Sequence, residues 1–242
     1  MIPNKYMKLL LTILILFSAS KLASQDCGLR DVESALRLGS TVGYNVDDNW
    51  TLDLSWESRI ENDISQYVES LIDVSANYKF FSGVKLHGIY RHNFNIGSDD
   101  VYRLTLGGSY ARFFSYTDLE WGIRSRIQRD HFYINSDAVY TLRNKFSLIY
   151  EINQKLGLVI EDEVFRTIGQ DAQWSRNRIN TGIEWKVTSD IELIAFYRFE
   201  NDLNTKVADI VHTIGLYMEY VIKSETVKAL KPVDHFGHPY RW

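Results

Sequence analysis

The sequence predicts an all-β fold: a single antiparallel, up-and-down transmembrane β-barrel of about ten to twelve strands. Three observations point there. From about Leu36 to about Ile222 the chain alternates every second residue, in segments of roughly eleven to fourteen residues, longer than the five or six of an ordinary soluble strand and close to what a tilted membrane-crossing strand needs. Within each segment one parity is oily and the other ionic. Short and longer polar connections alternate between the segments, as they do in barrels with tight turns at one end and loops at the other.

The elements follow in order. An opening segment, about Leu36 to Val46, is closed by the turn residues Asp47-Asp48-Asn49. Trp50 to Glu61 sets Leu52, Leu54 and Trp56 against Asp53, Glu57 and Arg59, and Tyr67 to Phe80 sets Ile72, Val74 and Tyr78 against Glu69, Asp73 and Lys79. Val84 to Asn95 carries Arg91 on its polar parity. Val101 to Phe113 is the clearest case, with Tyr102, Leu104, Leu106, Gly108 and Tyr110 on one face and Arg103, Thr105, Gly107 and Ser109 on the other. Asp118 to Arg129 opposes Leu119, Trp121 and Ile123 to Glu120, Arg124 and Arg126.

The second half repeats the pattern. Asp137 to Ile152 opposes Tyr140, Leu142, Phe146 and Leu148 to Arg143 and Glu151, and Leu156 to Phe165 opposes Leu158 and Ile160 to Glu161 and Glu163. Arg176 to Val187 pairs Ile183 and Trp185 with Arg176, Arg178 and Glu184 across the strand. Ile191 to Glu200 opposes Leu193, Tyr197 and Phe199 to Arg198 and Glu200, and Val211 to Ile222 opposes Ile214, Leu216 and Tyr220 to Glu219. Short connections fall at 47–49, 81–83, 115–117, 153–155 and 188–190, and longer ones at 62–66, 96–100, 131–136, 167–175 and 201–209. Eleven segments is an odd count, whereas single-chain bacterial barrels are usually even. One boundary is therefore expected to move, with a further strand in Asp26 to Ala35 or after Lys223, or with one segment outside the wall.

Before the barrel, Lys5 and Lys8 precede an apolar run from Leu9 to Phe17, followed by Ser18, Ala19, Ser20, Ala23 and Ser24. This reads as a secretory signal peptide over residues 1–24, cut between Ala19 and Gln25, because the run is too short to cross a bilayer as a helix. Residues 25–35 form a lead-in, 36–222 the barrel and 223–242 a C-terminal tail. Cys27 is the only cysteine, so no internal disulfide is available, and Ser24-Gln25-Asp26 is a poor box for lipid attachment. The formal net charge of -4 and the scattered Lys and Arg give no basic footprint for nucleic acid. Mean hydropathy is slightly negative, which excludes a helical membrane protein but not a barrel, whose strands hide apolar residues among polar ones.

Aromatics near strand ends suit the interfacial girdles of a membrane barrel, so the oily parity is expected to face lipid and the ionic parity the lumen. Both charge signs are nearly equal on the ionic parity. In so narrow a lumen they are expected to pair across strands as a structural lattice that includes Arg91, Arg103, Arg124, Arg126, Glu161, Glu163, Arg176, Arg178, Glu184, Arg198 and Glu200. Such balance argues for a narrow or occluded lumen over a wide ion-selective pore.

Thr213, Gly215, Met218 and Tyr220 resemble the polar, glycine, hydrophobic, aromatic signal that outer-membrane barrels present to the barrel-assembly machinery, although about twenty residues follow, ending Pro239-Tyr240-Arg241-Trp242. Tyr90-Arg91, Arg103, Arg124 with Arg126, Glu163 with Phe165, Gly182 through Trp185, and Tyr197-Arg198 followed by Glu200 occur in the order seen in the DUF2490 family. Across nearly the whole mature chain the sequence resembles that family of outer-membrane barrels, common in Bacteroidetes. The resemblance implies fold and location in a Gram-negative envelope, and no reaction.

Chemistry is expected to be absent from most of the candidate groups. A barrel lipid hydrolase pairs His with Ser two residues on along one strand face, and none of His87, His92, His131, His212, His235 and His238 has a serine at that spacing. His212 and Thr213 are adjacent and point to opposite faces. Glu161 and Glu163 share a face but are expected to pair with arginine. Asp234, His235 and His238 are three potential ligands in the tail, a weak metal signal, and no cofactor fingerprint occurs. The expected function is that of an integral outer-membrane barrel, porin-like, contacting membrane lipid and serving envelope structure or small-solute passage or binding. The alternative is a barrel enzyme acting on lipid or envelope substrates.

Overall fold

The computed structural model describes residues 32–114, 117–132, 138–169, 172–203 and 210–223. Among them run eleven strands, β1 (Val32–Asn45), β2 (Trp50–Glu61), β3 (Gln66–Phe81), β4 (Val84–Asn95), β5 (Val101–Phe113), β6 (Leu119–Phe132), β7 (Ala138–Glu151), β8 (Leu156–Ile168), β9 (Trp174–Lys186), β10 (Ile191–Asp202) and β11 (Ile210–Lys223). Each pairs with its sequence neighbour in antiparallel fashion, and β1 closes on β11 to complete a barrel.

All eleven segments read from the alternation lie in the wall, so the even count expected from other barrels does not hold. With an odd number, first and last strands run in the same direction, and closure requires a parallel ladder. That ladder aligns Val32–Asn45 with Ile210–Lys223 without a break. Val32 to Ala35, placed in the lead-in by sequence, belong to β1. The signal segment, Cys27, the remainder of the lead-in and the tail with Asp234, His235 and His238 lie outside the described residues.

The connections are less unequal than the sequence suggested. β1–β2 and β2–β3 are each bridged by four residues, 46–49 and 62–65, and β8 and β10 continue past their expected ends, to Ile168 and Asp202. We call the rim carrying 62–65 and 96–100 the loop end, and the opposite rim the turn end. In 62–65 the residues Asn62, Asp63 and Ile64 are all left-handed, with φ of 51, 58 and 62°, an uncommon backbone for a β-branched residue. The opening of β1 holds them there: Ser34 N–H donates to Asp63 Oδ1 at 3.1 Å and Ile64 N–H to Ser34 O at 3.2 Å.

The barrel is inside-out relative to a soluble protein. Leu106 on the outer wall is 67% exposed while Glu163 inside is 0% exposed. Leu52, Leu54, Val74, Leu104, Ile123, Ile183, Ile214 and Leu216 form an exposed aliphatic band. Rings crowd beside it at the turn end, where Trp50 meets Tyr78 at 4.8 Å and Tyr110 meets Trp121 at 5.5 Å between centroids. The orientation expected from the residue types is the one observed, because a two-residue period leaves each parity on a single side of the wall.

Inside, a small apolar cluster consists of Ile194 and Phe196 with Tyr217 packed against them. It depends on two glycines on the inner face. A Cβ on Gly215 would lie 2.0 Å from the Phe196 ring, and one on Gly39 would lie 2.4 Å from the Tyr217 ring. Without side chains there, the two rings lie against bare backbone and stack at 5.4 Å.

Candidate functional site

Alternation aims every second side chain inward, and the ladder register decides which ones meet. Asp73 and Arg91 are direct partners on β3 and β4. Arg91 donates from Nε at 2.6 Å and Nη2 at 2.7 Å to the two carboxylate oxygens. Arg103 and Asp130 repeat this between β5 and β6 at 2.6 and 3.1 Å. Such forked contacts hold both groups in one geometry. Arg59 binds Glu57 and Glu69, while Arg176 reaches Glu200 and Asp202, each at 2.9 Å.

Glu163 is a hub. Its carboxylate accepts from Arg126 Nη2 at 3.0 Å, from Arg143 Nε and Nη2 at 3.1 and 2.9 Å, and from Arg178 Nη1 at 3.5 Å. Arg178 also holds Glu200, with 2.6 Å from Nε. Register explains the convergence: Arg126 lies opposite Arg143, and Glu163 lies opposite both Lys145 and Arg178. The Phe165 ring lies 4.6 Å from the Arg143 guanidinium and 4.8 Å from that of Arg178, adding a cation–π contact to each.

On the loop side, many of these paired residues surround a chamber of about 500 Å³. Its wall includes Arg37, Arg59, Arg91, Arg103, Arg124, Arg126, Arg143, Arg176, Arg178 and Arg198, against the carboxylates Glu57, Asp73, Asp130 and Asp202. Thr105, Gln128, Thr141, Gln173 and Ser175 add neutral hydrogen-bonding groups. Toward the turn end the interior is filled instead by side chains almost wholly withdrawn from solvent, among them Asp53, Ser75, Glu120, Val159, Glu161 and Glu184. The near-equality of charge along the whole inner face therefore conceals an excess of arginine over carboxylate around the chamber, among the described residues.

The expected lattice residues fall as follows. Arg91, Arg103, Arg124, Arg126, Arg176, Arg178 and Arg198 line the chamber. Glu163 and Glu200 grip lining arginines from the wall. Glu161 binds Lys145 and accepts from Asn180 Nδ2 at 3.3 Å, and Glu184 is buried farther toward the turns. Among the described residues Arg198 forms no ion pair: its Nε donates to Asn180 Oδ1 at 2.8 Å and its guanidinium lies 5.3 Å from the Phe196 ring. In β11, Thr213 and Gly215 face inward, whereas Met218 and Tyr220 are exposed on the outer wall.

Sequence reasoning missed two arrangements. His87 has no serine near it in sequence, yet β5 brings Ser109 Oγ to 2.8 Å from His87 Nε2, and Asn77 Oδ1 lies 2.8 Å from Nδ1. Asn77 Nδ2 donates to Asp53 Oδ2 at 2.7 Å. Asp53 can only accept, which orients the Asn77 amide, places the His87 proton on Nδ1 and leaves Nε2 to accept from Ser109. No signal within one strand could reveal this, because the partners come from three others. The second arrangement was legible: in the run Glu161-Asp162-Glu163 one acid must face out. Asp162 does so at mid-wall, accepting from Asn177 at 2.7 Å, with Ser125, Asn144 and Val164 along the same groove.

At the loop end Asp100 accepts from His92 Nε2 at 3.2 Å and from the Asn95 N–H at 3.1 Å. These bonds hold its carboxyl below the usual carboxylate range. No group of three or more potential metal ligands occurs among the described residues.

The model of the family described as "Protein of unknown function (DUF2490)" matches residues 38–209. No curated protein matches the chain. Among solved structures, the NanC porin is similar at 17% identity over 69% of this chain and 85% of that one, with a TM-score of 0.46. Outer-membrane expressed OmpT of Vibrio cholerae is similar at 13% identity over 63% and 54%, with a TM-score of 0.37. The translocator domain of the autotransporter NalP from Neisseria meningitidis is similar at 11% identity over 69% and 72%, with a TM-score of 0.40.

Proposed function

Since the chain belongs to the DUF2490 family, a membership that assigns no reaction, we propose that it is an integral barrel of a Gram-negative outer membrane that takes small polar solutes into the loop-side chamber. The carrying observation is the pairing of an oily exposed wall with a polar, arginine-lined chamber closed toward the turns by packed side chains. An exposed apolar band on a closed barrel is stable only where hydrocarbon replaces water, and closure leaves no strand edge unpaired. Export through the segment 1–24 and recognition of β11 by the barrel-assembly machinery, with Thr213, Gly215, Met218 and Tyr220 as the signal, belong to the same reading.

The packed turn end favours binding or slow passage over wide conductance. Cell fractionation and planar-bilayer recording test this together. The chain is expected in the detergent-extracted outer-membrane fraction, with little steady conductance when purified. Recovery in a detergent-free soluble fraction would remove the membrane placement, and large open-channel currents would remove the closed turn end.

A second reading, hydrolysis of an envelope lipid or ester, is favoured by the Ser109–His87–Asn77–Asp53 chain, in which the imidazole is set to take a proton from the serine. It ranks lower because neither Ser109 nor His87 lines the chamber. Covalent labelling of Ser109 by a fluorophosphonate, lost in Ser109→Ala, would raise it above the first reading.

A further inference from the structure

Among the described residues the chamber wall is not electrically balanced. Ten arginines line it against four carboxylates. Glu69, Glu163 and Glu200, which bind lining arginines from the wall, bring the acids only to seven. The excess centres on Arg37 and Arg198, which are 7% and 2% exposed. They stand on the two strands flanking β11, Arg37 opposite Gly215 and Arg198 opposite Thr213. Arg37 reaches Glu57 only at 3.9 Å among the described residues, and Arg198 bonds the neutral Asn180. Arg37 Nε, Arg198 Nη1 and Thr213 Oγ1 have no hydrogen-bond partner among the described residues.

Buried guanidinium donors without an acceptor are costly to maintain, and a barrel that needed only stability could replace them with apolar groups. A ligand that brings the acceptor resolves both the unmet donors and the surplus charge. We propose that the chamber binds a small hydroxylated solute bearing a carboxylate or phosphate group, with that oxyanion seated against Arg37 and Arg198. This inference rests on the reading of the chamber as a solute site and names the class of solute. Planar guanidinium groups match either oxyanion through paired N–H contacts. Thr105, Gln128, Thr141 and Gln173 face the same space and offer both donors and acceptors to hydroxyl groups. The volume suits a solute of sugar size. The cationic wall also draws anions inward from the loop end.

Isothermal titration of the purified full chain in neutral detergent tests the class with three probes of similar size: glucuronate, glucose 6-phosphate and glucose. At least one acid is expected to bind, tenfold or more tightly than glucose, and to weaken as salt rises. Which acid binds tighter separates a carboxylate from a phosphate source. Arg198→Gln and Arg37→Gln are each expected to weaken the acid by about tenfold or more, while Asp162→Asn on the outer wall changes nothing. Heat-modifiable migration on gels reports whether each variant folds, and the salt dependence of the wild-type chain decides the matter if neither does. Equal binding of glucose and the acids would overturn the anion class and leave the solute chamber standing. Failure of all three probes to bind would overturn both.

Discussion

Asp73 and Arg91 face each other directly across the β3–β4 ladder, and the carboxylate receives two guanidinium N–H groups at 2.6 and 2.7 Å. Both side chains lie away from bulk water, Asp73 almost completely. Removing one member strands the other as an uncompensated charge. Asp73→Ala or Arg91→Ala is expected to cost about 3–5 kcal/mol, and the double replacement Asp73→Leu with Arg91→Met far less than the sum. Urea titration of the folded, heat-modifiable gel band measures the cycle. Additive losses would show that the two residues do not act as a pair.

The Glu163 hub predicts an order of effects. Arg126→Ala leaves Glu163 with Arg143 and Arg178, whereas Glu163→Gln withdraws the shared carboxylate from three guanidinium groups. Arg126→Ala should reduce stability by about 1.5–3 kcal/mol, and Glu163→Gln by about 3–5 kcal/mol. The same urea titration ranks them, and a larger loss in Arg126→Ala would contradict the shared-acceptor geometry.

Gly215 has a packing role independent of any assembly signal. Gly215→Ala sets a methyl group into the Phe196 ring, and overpacking of this kind commonly costs about 1–3 kcal/mol. Adding Phe196→Leu should restore much of the loss. If the double variant remains as defective as Gly215→Ala in outer-membrane yield, but refolds normally from urea, the glycine acts in recognition and not in packing.

Asp162 is a carboxylate at mid-height on the oily outer wall, the face proposed to meet hydrocarbon, and it accepts an amide N–H from Asn177. Charges at such depth are unfavourable, acids less so than bases. Asp162→Leu is expected to stabilise the barrel by roughly 1 kcal/mol or more, read as a raised midpoint of thermal unfolding in detergent and in lipid. A drop in lipid alone would reveal that the groove of Ser125, Asn144 and Asp162 meets something in the membrane.

Much of this protein was written in its residues one strand at a time. Arg103 beside Leu104, or Glu161 and Glu163 around Asp162, can be sorted to opposite sides of the wall because a two-residue period admits only two sides. Strand positions followed from where that period breaks at turns, and the inside-out orientation from putting ionic groups on the parity opposite tryptophan and leucine. Register lay beyond the sequence. Nothing in the spacing of His87 and Ser109, or of Arg126, Arg143, Arg178 and Glu163, announces that they meet, since ladders bring together residues that no local pattern connects. The parallel seam of β1 on β11 and the gathering of arginine around the chamber were decided only when the sheet closed. Closure fixes the slide of every strand past its neighbours at once, and that slide determines which charges share a level.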